Sequence, residues 1–300
     1  MTTEKLTNPP AQADSAWKFI LDAYFPQFMA FFYPALAKKI DWNIPFEALD
    51  KELQAITAEA MVGKRLIDML FKVRSKTGQE CVILLHVDVQ GSYEAHFAER
   101  MYIYNYLIYN LRKLPVMTLV VLADDRPKWK PTKYQSEIWG NTITTFNFFS
   151  VKLLEWTGQE TQLLEQANPF AITVAVHLAA QKTLKDPEAR LDIKSTLTCR
   201  LYERGFGKDE IRNLYTFLDR IMMLPEPQKI RYNAFIDHIE AEKNMHIITS
   251  IEERGIQKGI EQGMQQANIA TAKKMLKEGF KPDLVQRVTG LSDEDLEALE

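Results

Sequence analysis

Three hundred residues, 46% hydrophobic and 26% charged, make an ordinary globular chain, long enough for one large domain or a medium one with appendages. A net charge of −3 and a pI near 6.0 exclude a basic coat for non-specific nucleic-acid binding. They do not exclude a nuclease, whose metal ions offset phosphate charge locally. Cys81 and Cys199 form neither a CxxC motif nor a disulfide framework and read as small hydrophobes in a reducing compartment. The polar N-terminus with Pro9 and Pro10 lacks the apolar core of a signal peptide. No apolar run approaches the ~18 residues of a membrane span. The expected location is cytoplasmic.

Residues 1–45 form an N-terminal helical segment. Within it, Trp17 to Ile40 carries eight aromatics and is interrupted by Pro26 and Pro34, which predicts two short helices, the first capped by Asp14. Residues 46–155 hold the core. Pro45 to Ala60 is ambiguous between helix and strand. Arg65 to Val73 and Cys81 to Val89 are apolar runs of strand length around a polar stretch with Gly78, a β-hairpin pattern. From Ala95 to Arg112 the apolar residues recur at helical spacing, and Val116 to Leu122 is a third strand. An aromatic and proline-bearing loop follows, with Lys128, Lys130 and Lys133 set among Trp129 and Tyr134. It reads either as a DNA-backbone contact or as a solvated loop anchored by its aromatics. Ile143 to Leu154 is one more candidate strand.

Residues 156–246 are helical throughout, over Pro169 to Leu184, Asp186 to Arg204, Lys208 to Leu224 and Pro227 to Ile248, with Gly205 and Gly207 as C-cap signals. Residues 247–300 form a helical tail. Gly255, Gly259 and Gly263 recur every four residues, so one helix face would allow close approach of a partner helix; a frayed linker is the other account. The mixed charges of this run offer no basic stripe for phosphates, which favours a self-association segment over Ile247 to Met275 rather than a DNA-reading one. Two short helices around Gly279 and Gly290 close the chain. The fold class is therefore α/β, a small mixed sheet flanked by helices and followed by an all-helical C-terminal half.

The first hairpin carries the chemistry. Strand side chains alternate faces, so Leu66, Asp68 and Leu70 share one face, as do Leu84, His86, Asp88 and Gln90. With the turn centred on Gly78, antiparallel pairing sets Asp68 opposite Asp88. Two opposed carboxylates repel unless a cation lies between them, and magnesium or manganese is the natural candidate for oxygen ligands. Gln90, two residues on, could orient a water or a phosphate oxygen. On spacing alone a second account stands, in which these are edge residues that reach solvent. His86 is either a supporting group or a core histidine, and Glu52 is a candidate third acid. His177, His238 and His246 have no zinc spacing, and there is no P-loop, GxSxG or GxGxxG.

The runs Gly63 to Val73, Leu84 to Tyr93 (LLHVDVQGSY) and Arg100 to Tyr106 (RMYIYNY), with Ala123 to Pro127 (ADDRP) and the glycine-phased tail, resemble the Rpn (YhgA-like) family of recombination-promoting nucleases and transposases in the PD-(D/E)XK superfamily. The resemblance implies a PD-(D/E)XK-like core and magnesium-dependent endonucleolytic cleavage of DNA, with Asp68 and Asp88 as metal ligands and Gln90 in the position where many members of the superfamily carry lysine. Asp88 stands where the family pattern has glutamate. The implied partners are DNA and a second copy of the chain through the C-terminal helix. The alternative is a non-catalytic binding or assembly protein that keeps the nuclease fold.

Overall fold

The computed structural model describes residues 10–49, 67–88, 96–243, 248, 268–276 and 282–289; at Pro10, Ala11, Ile67, Asp68, His86, Val87, Asp88, Pro282, Asp283, Leu284 and Arg287 the backbone alone is described. The chain is a mixed α/β protein of two compact units, Met1–Phe235 and Ile236–Glu300.

In the first unit the apolar runs become a five-stranded mixed sheet. Its members are β1 (Glu47–Ala48), β2 (Ile67–Arg74), β3 (Glu80–Asp88), β4 (Val116–Leu122) and β7 (Phe149–Lys152), in the order β1-β2-β3-β4-β7. β1, β2 and β3 pair antiparallel, whereas β3, β4 and β7 pair parallel. The change of sense follows from the connections. A tight turn returns the chain from β2 to β3, while helix α3 (Phe97–Arg112) carries it back along the sheet before β4 begins.

Both faces of the sheet are covered. Leu70, Leu84, Val120 and Leu122 on one face are buried against Phe97, Met101, Tyr104 and Ile108 of α3. Asn105 fastens that helix to β4 by donating its amide to the Val116 carbonyl (3.0 Å) and to Thr118 Oγ1 (3.1 Å). The opposite parity faces the N-terminal aromatics. Phe25 stacks on Phe71 with ring centroids 3.9 Å apart, and the Tyr33 hydroxyl donates to the Val120 carbonyl at 2.9 Å. Burial pushes the Tyr33 phenol pKa well above its ordinary value. Phe25 lies in α1 (Pro10–Phe32), which bends at Tyr24 (φ −137°, ψ 35°), two residues before Pro26, and α2 (Pro34–Ala37) starts on the second proline. The two expected helices are thus a kinked one and a single turn. Asp14 lies within α1, not at its cap, because the helix starts at Pro10.

Between β4 and β7 the chain forms a second hairpin, β5 (Lys133–Ile138) with β6 (Asn141–Asn147). The single strand expected over Ile143 to Leu154 is therefore β6, β7 and a short 3-10 turn at Leu153–Trp156, and the presumed loop contains β5. Of the helices that follow, α4 (Glu160–Glu165) is not among the expected ones. α5 (Pro169–Lys182), α6 (Pro187–Glu203) and α7 (Lys208–Ile221) sit close to their expected bounds because their ends are written in the sequence, whereas α8 (Glu226–Glu242) ends six residues before the expected Ile248. Asn168 and Asp186 accept hydrogen bonds from Phe170 N–H and Ala189 N–H, each ahead of a proline at the first helical position. Gly205, at φ 73°, takes the left-handed turn after α6. Two buried cations are held inside this half: Arg190 donates to the Ala180 carbonyl (2.7 Å), and Lys194 pairs with Asp219 (2.6 Å).

In the second unit, helix α9 (268–276) and helix α10 (Pro282–Thr289) enclose a small core of Ala272 and Val285, with Ile269, Met275 and Leu276 packed beside them. No helix among the described residues is long and apolar enough to cross a membrane.

Candidate functional site

Asp68 and Asp88 do lie on adjacent antiparallel strands, but they do not pair with each other. Asp68 pairs with His86, and Asp88, the last residue of β3, neighbours Leu122 of β4. The cause is the turn. Ser75 and Gln79 close the loop through Ser75 N–H to Gln79 O (2.8 Å), Gly78 N–H donates to Ser75 O (2.9 Å), and Gly78 takes φ 88°. Gly78 therefore occupies the left-handed position after a tight turn, not the turn's centre, which falls on Thr77. The register shifts by two residues, and a shift of two preserves the face. Positions 68, 86 and 88 share one side of the sheet by backbone pairing, the side that carries Leu70 and Leu84. The two aspartates are diagonal neighbours, typically about 7–8 Å apart between backbones. Gln90 and Glu52 lie outside the described residues. Among the described residues, no group of three or more His, Cys, Asp and Glu side chains comes together to hold a metal ion.

The end of the sheet at Asp88 is built around residues that sequence reasoning did not single out. β3, β4 and β7 stop level with one another, at Asp88, Leu122 and Lys152, which form one row across the parallel strands. Just past β4, Asp124 is buried and pairs with the equally buried Lys152 ammonium, while its other oxygen accepts from Arg126 N–H at 2.8 Å. The Lys152 ammonium lies 5.7 Å from the centroid of the Trp129 ring, and that ring meets Phe97, the first residue of α3, edge-on at 5.2 Å. On the other side, the Ala123 carbonyl accepts from His177 Nε2 (2.9 Å) and Gln181 Nε2 (2.6 Å) of α5. That bond requires the proton on Nε2. Burial lowers the His177 pKa to about 4, so the ring stays neutral at pH 7. Its role is to tie α5 to the end of β4. The ADDRP segment signals this corner, but Lys152 is found only once β4 and β7 are known to pair in parallel.

The lysine-bearing stretch divides by role. Trp129 packs against the α3 core, and Tyr134 stacks on Tyr102 of α3 (5.1 Å, 17°), so the aromatics are anchors. All three lysines are exposed; Lys130 pairs with Glu155 at 2.6 Å and Lys133 donates to Gln135 at 3.2 Å.

The self-association segment expected over Ile247 to Met275 lies mostly outside the described residues, including its three glycines; the described part enters α9. A family model described as the Rpn/YhgA-like nuclease family, C-terminal HTH domain, matches residues 265–300. The match covers α9 and α10 and overlaps the end of that segment, so a self-association role alone does not account for residues 265–275. No curated protein and no solved structure matches the chain.

Proposed function

We propose that this chain is a metal-dependent DNA endonuclease of the PD-(D/E)XK type, acting as a recombination-promoting nuclease or transposase. The observation that carries the reading is the register of β2 and β3, which keeps positions 68, 86 and 88 on one face at the end of a mixed sheet flanked by helices. The similarity of residues 265–300 to a nuclease-family HTH domain supports it, since a helix-turn-helix is a duplex-binding element. The donor set suits magnesium or manganese: two carboxylates supply hard oxygens, and residues at diagonal positions repel less than directly opposed ones. Such an ion would supply a water of lowered pKa and offset charge on the phosphate. Asp68 and Asp88 would hold it, and the Gln90 amide would orient the water or a phosphate oxygen. The Asp124–Lys152 pair and the His177 bond hold the strand beside Asp88 rigid, which keeps the site in place. Two copies paired through the glycine-phased run would present two such sites to the two strands of a duplex.

Nicking of supercoiled plasmid in Mg²⁺ tests the reading. Asp68→Ala and Asp88→Ala each abolish nicking and leave the thermal midpoint unchanged or raised, since removing one of two neighbouring carboxylates relieves repulsion in the metal-free protein. Equal nicking by wild type and both variants would remove the site from the reaction, and a wild type without nicking would favour the assembly-protein reading.

A further inference from the structure

The β5–β6 hairpin ends in an arrangement that the fold does not use. Ile138 pairs with Asn141, so the turn is the two-residue loop Trp139–Gly140, with φ 52° and 77°. Two successive left-handed residues define the turn that favours Asn-Gly, because asparagine and glycine tolerate that backbone and a bulky side chain is strained in it. Here the first of the two is a tryptophan, and it is 97% exposed. Ile138 and Ile143 beside it are more than half exposed as well. Strained backbone and a solvated apolar tip are both unfavourable, and together they point to a contact with another molecule.

The rest of the ribbon indicates which. Its inner side is spent on anchoring, through Tyr134 on Tyr102 and Phe146 on Phe148. Away from the tip its outer side is polar: Lys133, Gln135, Glu137 and Thr142 form a hydrogen-bonded chain, with Thr145 and Asn147 exposed alongside. That is poor material for the core of a protein interface, which is apolar and depleted in charge. It is suitable material for a groove of duplex DNA, which admits a two-stranded ribbon and is read by amides and hydroxyls. Leading into the ribbon, Arg126, Lys128, Lys130 and Lys133 fall within eight residues that contain no acid, and of these Lys130 pairs with Glu155. The ribbon also leaves the sheet from the connection after β4, whose last residue neighbours Asp88.

We propose that the β5–β6 ribbon is a duplex-DNA contact, with Trp139 inserted as an apolar wedge against the bases and the 126–133 segment facing the phosphates. Wedges of this kind unstack a base step and bend the duplex. The inference rests on the reading of the chain as a DNA enzyme, and it assigns DNA engagement to a second element, apart from the HTH-like residues 265–300.

Fluorescence anisotropy with a labelled 30-base-pair duplex, using the full chain, tests it. Trp139→Asn removes the ring and relieves the strained turn, so binding falls about 10-fold, within the range of base–aromatic contacts, while the thermal midpoint holds or rises. Trp139→Phe keeps most of the affinity. Wild-type binding that Trp139→Asn leaves unchanged overturns the ribbon assignment and leaves the nuclease reading standing. Unchanged DNA binding with a sedimentation shift in Trp139→Asn overturns it in favour of a contact between protein chains. A wild type that neither binds nor nicks DNA removes the DNA reading and this inference together.

Discussion

The two hairpins of this chain are built in opposite ways. β2–β3 is apolar along its length and polar at its turn: Leu70, Phe71, Ile83, Leu84 and Leu85 are buried, and the loop from Ser75 to Gln79 is solvated. β5–β6 is polar along its outer side and apolar at its turn, where Trp139 meets solvent. Each uses a left-handed residue. In β2–β3 it is Gly78, which costs little strain; in β5–β6 it is a tryptophan, which costs more. The first hairpin is thus optimised for folding and holds the candidate site in its register. The second gives up local stability at its tip, as functional elements often do.

Tests of this contrast run from the sheet to the tips. The largest effect is expected at the buried corner beside the first hairpin. Lys152→Ala leaves Asp124 buried and uncompensated and should cost about 3–5 kcal/mol by denaturant unfolding, whereas Lys152→Met with Asp124→Leu recovers most of it. A single variant as stable as wild type would mean that the pair is not structural.

His177 gives the next effect, and its sign follows from its direction of shift. The folded pKa lies at about 4, below the ordinary 6.5. Between those values the unfolded chain takes up a proton that the folded chain refuses, so stability is full above pH 6.5 and is lost as pH falls toward 4. The full difference is about 3 kcal/mol. Other groups titrate in the same window, so the measurement is the difference between wild type and His177→Gln. The variant should flatten the profile over pH 4–6.5, and parallel profiles would rule out a neutral buried imidazole.

The smallest effects separate the two turns. Gly78→Ala meets no neighbour but forces a side chain into φ 88°, and should destabilise by about 1 kcal/mol. Trp139→Asn should act in the other direction by a few tenths to about 1 kcal/mol. If both lower the thermal midpoint, Trp139 contributes to the fold and the contrast between the tips is lost.

The sequence made parts of this architecture legible because local physics decided them. Val116 to Leu122 is a strand with the bounds its apolar run predicts, and the caps at Asn168 and Asp186 and the stop at Gly205 place the helices. A turn centred on Gly78 predicts Asp68 opposite Asp88; the turn centred on Thr77 moves the β2–β3 pairing by two residues and keeps only their shared face, since two is even. β5 was hidden because Lys133 to Ile138 lacks an apolar alternation and its turn carries Trp-Gly, which does not announce a hairpin. The Asp124–Lys152 pair was hidden for a different reason: its partners are 28 residues apart and meet only through the parallel pairing of β4 and β7.

Metal binding at the first hairpin is the most direct test of the account. Titration of the full chain with Mn²⁺, followed by electron paramagnetic resonance of the free ion, should show saturable uptake by wild type. Asp68→Ala and Asp88→Ala should each abolish that uptake while keeping or raising the wild-type thermal midpoint in the absence of metal. Uptake by both folded variants equal to that of wild type would contradict a metal centre at these two residues.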